Sequence, residues 1–211
     1  MTTKLIWITP DAEKLLGYIA RVSNPNNQDN EDVAGLLRYM VKHRHWSPFE
    51  MASAVFEIET TRDIARQILR HRSFSFQEFS QRYADVSLLP AAQLRECRLQ
   101  DTKNRQNSLI TDDQAKCDMW AQAQARVVDA AQAAYKQALE MGIAKEQARA
   151  VLREGLTTSR MYMSGTLRSW MHYCQLRTQP ETQREHRWIA QQINDTLAAH
   201  VPTVWSAMEQ P

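Results

Sequence analysis

Hydrophobic and polar positions recur along the chain with two different periods, and each period predicts a different kind of element. From Ala54 to Ile58, apolar and polar side chains alternate within residues 51–60, which predicts a half-buried strand. Residues 4–9 and 156–163 are short and β-prone, and they predict two more strands. A further edge strand is expected at residues 94–99, before an exposed loop at 104–107.

Apolar residues at helical spacing predict the helices. The first stripe, which Asp11 can cap, is Leu15, Leu16, Ile19 and Val22, and the second is Leu36, Leu37, Met40 and Val41. The third, with Thr60 or Thr61 as N-cap, is Ile64, Ile68 and Leu69. Residues 112–141 form the longest predicted helix, closed by Gly142, and further helices are predicted at 144–153, 167–176 and 181–200. The fold expected is α+β, with a small mostly antiparallel sheet flanked by long helices.

Composition narrows the class of protein. The 211 residues include no Pro/Gly/Ser-rich linker, so one domain is expected over residues 1–211. A content of 43% hydrophobic and 24% charged residues is typical of a soluble globular protein. No apolar run approaches the roughly 20 residues that span a bilayer, and residues 1–20 show no secretory signal. We therefore expect a cytoplasmic protein without a membrane partner.

Charge and cysteine content give no support to three further classes: nucleic-acid-binding, disulfide-rich and zinc-binding proteins. A formal net charge of +2 is too small to predict nucleic-acid binding by itself. Three cysteines, Cys97, Cys117 and Cys174, are an odd number with no close pair in the sequence. They fit neither a disulfide framework nor a zinc site, so reduced thiols and no metal are expected.

Charged, hydroxyl and aromatic side chains are concentrated in residues 70–83. This segment contains three arginines, a histidine, a glutamate, three serines and four aromatic residues. Arginine grips phosphate or carboxylate through paired hydrogen bonds, and Ser80 can add a hydroxyl to the same phosphate. The segment therefore predicts an anion site delivered by the preceding helix. The alternative is a solvated basic helix end, where cations favour the helix dipole.

This segment resembles the signature of the flavin-dependent thymidylate synthases: Arg70-His71-Arg72, then seven residues, then Ser80, with Gln77-Glu78-Phe79-Ser80-Gln81-Arg82-Tyr83 continuing the likeness. The resemblance implies FAD contacts from Arg70, His71, Arg72, Gln77 and Glu78. It implies contacts with dUMP from Gln67, Glu78, Phe79, Ser80, Gln81 and Arg82.

A second stretch, residues 42–50, resembles the motif that precedes a strand in the same family. The likeness places His45 beside the flavin as a catalytic and cofactor-binding candidate, with Ser47 as a further cofactor contact and Ser23 as another. Without it, a histidine-rich helix end that complements the dipole would explain the pattern, and Ser23 would only end a helix. Met51 stands where many members have histidine, and a methionine there packs most simply.

A third stretch, residues 165–177, places Arg168, His172 and Gln175 at i, i+4 and i+7, so that they share one polar helix face. In the family, the matches to Arg168 and His172 contact the flavin, often with Asn at the second position, and the match to Arg177 contacts the pyrimidine and is a catalytic candidate.

Trp170, Met171 and Tyr173 in the same stretch are expected in the core. Earlier in the chain, Arg149 resembles the arginine that reaches the nucleotide phosphate of a neighbouring subunit; its alternative is a solvated side chain. Arg153 replaces the proline of that motif.

Taken as a whole, the resemblance implies a homotetramer with active sites shared between subunits. It implies methylation of dUMP to dTMP with methylenetetrahydrofolate as carbon donor and NADPH as reductant through FAD, without a cysteine nucleophile. Two alternatives stay open at this point. One is a related enzyme that leaves a hydroxymethyl group on the pyrimidine. The other is a binding module in which Phe74, Phe76 and Tyr83 stack bases of single-stranded nucleic acid.

Overall fold

The computed structural model of the chain describes residues 1–208. The strands are β1 (Thr2–Ile8), β2 (Ser53–Thr61), β3 (Ser75–Glu78), β4 (Arg98–Gln100), β5 (Ser108–Ile110) and β6 (Thr158–Thr166). The α-helices are α1 (Ala12–Ala20), α2 (Ala34–Lys42), α3 (Arg62–Ile68), α4 (Gln114–Glu140), α5 (Lys145–Ala148), α6 (Leu167–Arg177), α7 (Arg184–His200) and α8 (Pro202–Met208). Across this part of the chain, no helix is long and apolar enough to cross a membrane.

The strands form a four-stranded sheet in the order β1-β2-β6-β3 and a separate β4-β5 pair. In the larger sheet Glu59 bonds to Arg160 and Glu57 bonds to Tyr162, so partners move in opposite directions along β2 and β6, as in an antiparallel pair. The α+β class and the small antiparallel sheet are thus confirmed. The alternation predicted for β2 is confirmed as well, because Ala54, Phe56 and Ile58 are fully buried.

The chain divides into two compact units. The first contains Met1, Glu59–Arg70 and Glu78–Met161, and the second contains Thr2–Ile58, His71–Gln77 and the chain from Tyr162 onward. A single domain over residues 1–211, of which the last three lie outside the described part, stays a prediction.

In the second unit, aromatic side chains build the core. Trp170 packs edge-on against Phe74 and Phe56, with ring centroids 4.6 Å and 5.0 Å away, and its indole N–H donates to the carbonyl of Ala54. A Cβ atom on Gly165 would lie 2.4 Å from the Phe74 ring, so glycine alone lets β6 approach this ring. The expectation that Trp170, Met171 and Tyr173 belong to the core is confirmed.

In the first unit, α4 is the longest helix, as predicted. Asp113 caps it by accepting from the amide of Lys116, and Gly142 follows its end with φ of 79°. Its buried residues include Gln124, whose amide group bonds to both the N–H and the carbonyl of Arg95. Several of its apolar residues are exposed instead: Met119, Trp120 and Val127.

Some predicted boundaries and roles are wrong. Asp11 precedes α1 in a left-handed conformation and makes no capping hydrogen bond, and Val22 is exposed beyond the helix end. The helix expected at 144–153 is shorter, since α5 gives way to a 3₁₀ turn at Arg149–Val151.

Two predicted strands are present with shifted bounds, and several short elements were not predicted. The edge strand expected at 94–99 is β4, and the strand expected at 156–163 is β6, which runs to Thr166. Sequence reasoning missed β3, β5 and α8, because three to seven residues carry too little periodicity to stand out.

Candidate active site

The polar face of α6 borders a cavity in the second unit. Thr166 caps the helix by accepting from the amide of Ser169, and the side chains of Arg168, His172 and Gln175 then line a cavity of about 420 Å³. Trp46 and Met171 supply apolar wall, and Glu50, Ser73 and Ser169 complete it. The helical spacing correctly predicted that the three polar residues share one helix face.

Arg168 is held by Glu50, with which it forms an ion pair at the cavity rim. Glu50 belongs to the 3₁₀ turn Ser47–Glu50, which begins two residues after His45. The segment containing His45 and Ser47 therefore meets α6 through this pair, and both of these predicted cofactor contacts are exposed.

A tight turn sets the position of His45. Arg44 has φ of 57°, in the left-handed region that favours glycine, and the amides of Arg44 and His45 donate to the carbonyls of Val41 and Met40. These two bonds form a Schellman motif that closes α2. Because arginine pays a steric penalty there, the turn holds a strained residue next to a candidate catalytic histidine.

Arg177, the candidate for polarising the pyrimidine, is oriented by His71. The guanidinium Nε donates to His71 Nε2 at 2.9 Å, which requires that nitrogen to be an unprotonated acceptor. His71 is buried, and burial together with the positive charges of Arg177 and His172 lowers its pKa to about 4. His71 is therefore neutral at pH 7, as its acceptor role demands.

A second buried histidine supports this pair. His186 Nε2 lies 3.1 Å from the hydroxyl of Tyr173, and the Tyr173 ring packs edge-on against His71 with centroids 5.0 Å apart. Burial, with the charges of Arg177 and His71, lowers the pKa of His186 to about 3. Sequence reasoning missed His186, because no local pattern relates it to a residue more than a hundred positions earlier.

Two arginines of the segment 70–83, one in each unit, have side chains without a partner in the described chain. Arg72 in the second unit is exposed and forms no hydrogen bond or ion pair with any residue of 1–208, and Gln77 is exposed as well. Arg70, the last residue of its segment in the first unit, is also exposed and makes no side-chain contact within the described chain. Unpaired guanidinium groups suit phosphate oxygens. Ser23 is exposed beyond the end of α1.

In the first unit, Glu78 is fixed at the end of β3. Its carboxylate accepts from the hydroxyl of Ser159 at 2.6 Å and lies 3.6 Å from Arg62. The amide of Phe79 donates to the carbonyl of Arg160, and the amides of Tyr83 and Ala84 both donate to the carbonyl of Ser80. The prediction that the preceding helix positions residues 70–83 is therefore wrong in part. The helix α3 ends at Ile68, and β3 and the turn at Ser80 position the later residues of the segment.

Two arginines of the first unit meet at one acidic residue. Arg82 forms an ion pair with the carboxylate of Glu146 at 3.2 Å, and Arg149 Nε donates to the carbonyl of the same residue at 3.2 Å. Both candidates for holding nucleotide phosphate are therefore neighbours within one chain. The reach of Arg149 into another subunit stays a prediction.

Two glutamines complete the predicted substrate set. Gln81 is buried, and its amide nitrogen has no hydrogen-bond partner in the described chain, so it retains a free donor. Gln67 lies in the last turn of α3 and is half-buried.

Two of the three cysteine thiols have raised pKa values. Burial raises the pKa of the Cys174 thiol strongly. Cys97 and Cys117, distant in the sequence, are brought into hydrogen-bonding contact, and burial and this contact raise the pKa of Cys117. All three are free thiols. A raised pKa disfavours the thiolate that a nucleophile requires.

The second unit fits a flavin nucleotide. Its cavity combines apolar wall with hydrogen-bonding side chains from α6, and Arg72 offers an unpaired cation to a phosphate. This is the donor set that an aromatic ring system carrying a diphosphate needs.

Comparison with known proteins agrees with this fit. The family model described as thymidylate synthase complementing protein matches residues 4–203. The chain therefore belongs to that family, whose curated relatives are named flavin-dependent thymidylate synthases.

Two relatives cover nearly the whole chain. The probable flavin-dependent thymidylate synthase of Paramecium bursaria Chlorella virus 1 is 46% identical over 99% of each chain. The flavin-dependent thymidylate synthase of Synechocystis is 48% identical over 93% of this chain and 89% of the relative.

Among solved structures, the UMP/dUMP methylase PolB from Streptomyces cacaoi, bound with 5-Br dUMP, has a TM-score of 0.84 and 30% identity, covering 99% of this chain and 94% of its own. These names do not favour a hydroxymethylase or a nucleic-acid-binding module.

Proposed function

We propose that this protein methylates carbon 5 of dUMP to give dTMP, taking the one-carbon unit from methylenetetrahydrofolate and electrons from NADPH through FAD. The observation that carries the proposal is the Arg177–His71 hydrogen bond, which fixes a permanently charged guanidinium against a neutral imidazole. Family membership and the dUMP methylase neighbour support it.

The family signature supports the proposed FAD contacts. Arg168, His172, His45 and Ser47 border or flank the α6 cavity and would orient the ring system, while Arg72 and Arg70 would pair with phosphate oxygens. Ser23, His71, Gln77 and Glu78 are further proposed contacts. When bound, FAD supplies the two-electron reduction that converts the transferred methylene group into methyl.

The nucleotide would be held mainly by the first unit. Arg82, Arg149 and Ser80 would bind the dUMP phosphate, and Glu78, Phe79, Gln81 and Gln67 would position the sugar and base. Arg82 must exchange Glu146 for the phosphate, and both partners are exposed, so the exchange costs little.

Arg177 would then polarise the uracil. Carbon 5 becomes nucleophilic when negative charge can delocalise toward the carbonyl oxygens of the ring. A guanidinium already oriented by His71 stabilises that charge without reorganising during the reaction. No cysteine adduct is needed, consistent with the raised pKa of Cys117 and Cys174.

A homotetramer would complete the site. The exposed apolar side chains of α4, Met119, Trp120 and Val127, would be covered by a second copy of the chain, because large exposed apolar residues grouped on one helix mark interaction surfaces. Active sites shared between copies would make an isolated chain inactive.

UMP is a second candidate substrate, because the structural neighbour is described as a UMP/dUMP methylase and was also solved with 5-Br UMP. The relatives that are 46% and 48% identical are named for thymidylate synthesis, which favours dUMP. The two nucleotides differ only at the ribose 2′ position.

The test is turnover by the purified flavoprotein with methylenetetrahydrofolate, NADPH and either dUMP or UMP, with products separated and weighed by mass spectrometry. We expect methylated dUMP. Arg177→Ala should retain the flavin absorption spectrum while its turnover falls about 10²- to 10³-fold. Arg105→Ala, which removes an exposed arginine between β4 and β5, is the matched control and should keep full activity.

Three results would contradict the proposal. A colourless protein that takes up no FAD would remove the cofactor assignment, and a hydroxymethyl product would change the reaction. Full activity in Arg177→Ala would remove the role assigned to the guanidinium.

A further inference from the structure

A cavity in the first unit lies outside the set of residues proposed to bind dUMP. It has a volume of about 640 Å³ and is formed by residues 85–92, the C-terminal half of α4 and residues 152–158. Its wall is largely apolar and includes Val86, Leu89, Pro90, Leu139 and Leu152. We call it the Arg153 cavity, because Arg153 is the charged residue in its lining with buried unpaired donors.

Arg153 has no ion-pair partner in the described chain. Its Nε and Nη1 atoms are buried and have no hydrogen-bond partner, and it forms no ion pair within residues 1–208. Burial lowers the pKa of Arg153, against a weak attraction from Asp129. Arg153 as a whole is half-buried. Buried donors without partners are costly, because they have lost their hydrogen bonds to water and gained none in the protein.

A second polar group in the lining is also unsatisfied. Thr157 is buried and its hydroxyl has no partner, whereas the hydroxyl of the next residue, Thr158, donates to the carbonyl of Pro90 at 2.6 Å. Tyr135 also lines the cavity, and its buried hydroxyl has no partner either. Three unpaired groups, with four buried atoms between them, therefore belong to the same cavity. Water could satisfy the donors but would not neutralise the charge.

The lining defines the chemistry of an occupant. The ligand needs one anionic group that accepts hydrogen bonds from Arg153 and Thr157. It also needs an apolar part that packs against the leucine and proline side chains of the wall. Asp85 and Lys136 also line the cavity, so that with Arg153 the lining carries one net positive charge. A singly charged anion balances that charge, whereas a multiply charged group such as phosphate exceeds it and is repelled by Asp85. We propose that the Arg153 cavity binds a small amphipathic monocarboxylate.

This site depends on the individual sequence. Arg153 stands where the family motif resembled by residues 147–152 has proline, so the donor that defines the cavity belongs to this chain. The proposal is independent of the dUMP reaction, because Arg153 and Thr157 are not among the residues proposed to bind dUMP or FAD.

Calorimetric titration of the purified flavoprotein with octanoate tests the proposal, with the neutral isostere octanamide as the ligand control. We expect octanoate to bind more tightly than octanamide. Arg153→Met should weaken octanoate binding about 10- to 100-fold, because a charge-assisted hydrogen bond is lost. Thr157→Val should weaken it several-fold. Arg126→Met, which removes an exposed arginine of α4 outside the cavity lining, should bind like the wild type.

Thermal unfolding without ligand separates binding from a structural role. Arg153→Met should have a Tm equal to or above the wild type, because it removes two buried donors that have no partner. A lower Tm, or dissociation of the assembled protein, would mean that Arg153 is structural or faces a second copy, and would overturn the proposal. Absence of octanoate binding, or equal binding by Arg153→Met, would mean a cavity that holds only water and would overturn it as well.

Discussion

The buried His71 makes stability depend on pH in a way that one substitution can isolate. Its native pKa of about 4 lies below the ordinary value of 6.5, so between these two values the unfolded chain binds a proton that the native chain refuses. The stabilisation is complete above pH 6.5 and is lost as pH falls toward 4. Between pH 7.5 and pH 5 the loss is about 2 kcal/mol, and solvent that reaches the ring reduces this value.

Replacing His71 with glutamine removes the titration and keeps an acceptor for Arg177 Nε. We measure the free energy of unfolding in urea at pH 7.5 and at pH 5, at one protein concentration. Between these two pH values, the decrease in this free energy should be about 2 kcal/mol smaller for His71→Gln than for the wild type. Some acid sensitivity remains, because His186 has a native pKa of about 3 and titrates with the same sign.

His71→Leu is the partner experiment. It also removes the titration but leaves the Arg177 Nε donor without an acceptor, so at pH 7.5 it should be less stable than His71→Gln by about 1.5–3 kcal/mol. Equal pH dependence in His71→Gln and the wild type would refute the buried neutral imidazole, and equal stability of the two variants at pH 7.5 would refute the hydrogen bond.

Other predictions concern the backbone and the thiols. Arg44→Gly should raise the free energy of unfolding by about 1 kcal/mol, because glycine adopts the left-handed conformation without steric penalty; an unchanged urea midpoint would argue against strain. Gly165→Ala should destabilise by about 1–3 kcal/mol through its clash with Phe74, while Gly155→Ala, where no atom lies within 4 Å, should not. Turnover should stay measurable when Cys97, Cys117 and Cys174 are all replaced by serine in a protein that still binds flavin. Complete loss of turnover in that protein would favour thiol catalysis.

Local sequence patterns determined the elements whose periodicity is long enough to read. The alternation in β2 and the stripe in α2 are properties of neighbouring residues, and both match the structure. The polar face of α6 belongs to the same group: residues spaced by three and four positions must share a helix face, so Arg168, His172 and Gln175 could be assigned to one site before the cavity was known.

The family motifs identified candidate site residues but did not predict which other residues they contact. The sequence singled out His71 and Arg177, and only the packed second unit shows that one orients the other and that burial keeps the imidazole neutral. It likewise singled out Arg82 and Arg149 separately, and the fold joins them at Glu146, a residue that carried no signal of its own.

Tertiary structure alone decided what depends on distant segments. The strand order β1-β2-β6-β3, the short strand β3 and the unpaired donors of the Arg153 cavity all arise where segments far apart in the chain pack together. A side chain's burial, and therefore its pKa and its need for a partner, is fixed by neighbours that no local period encodes.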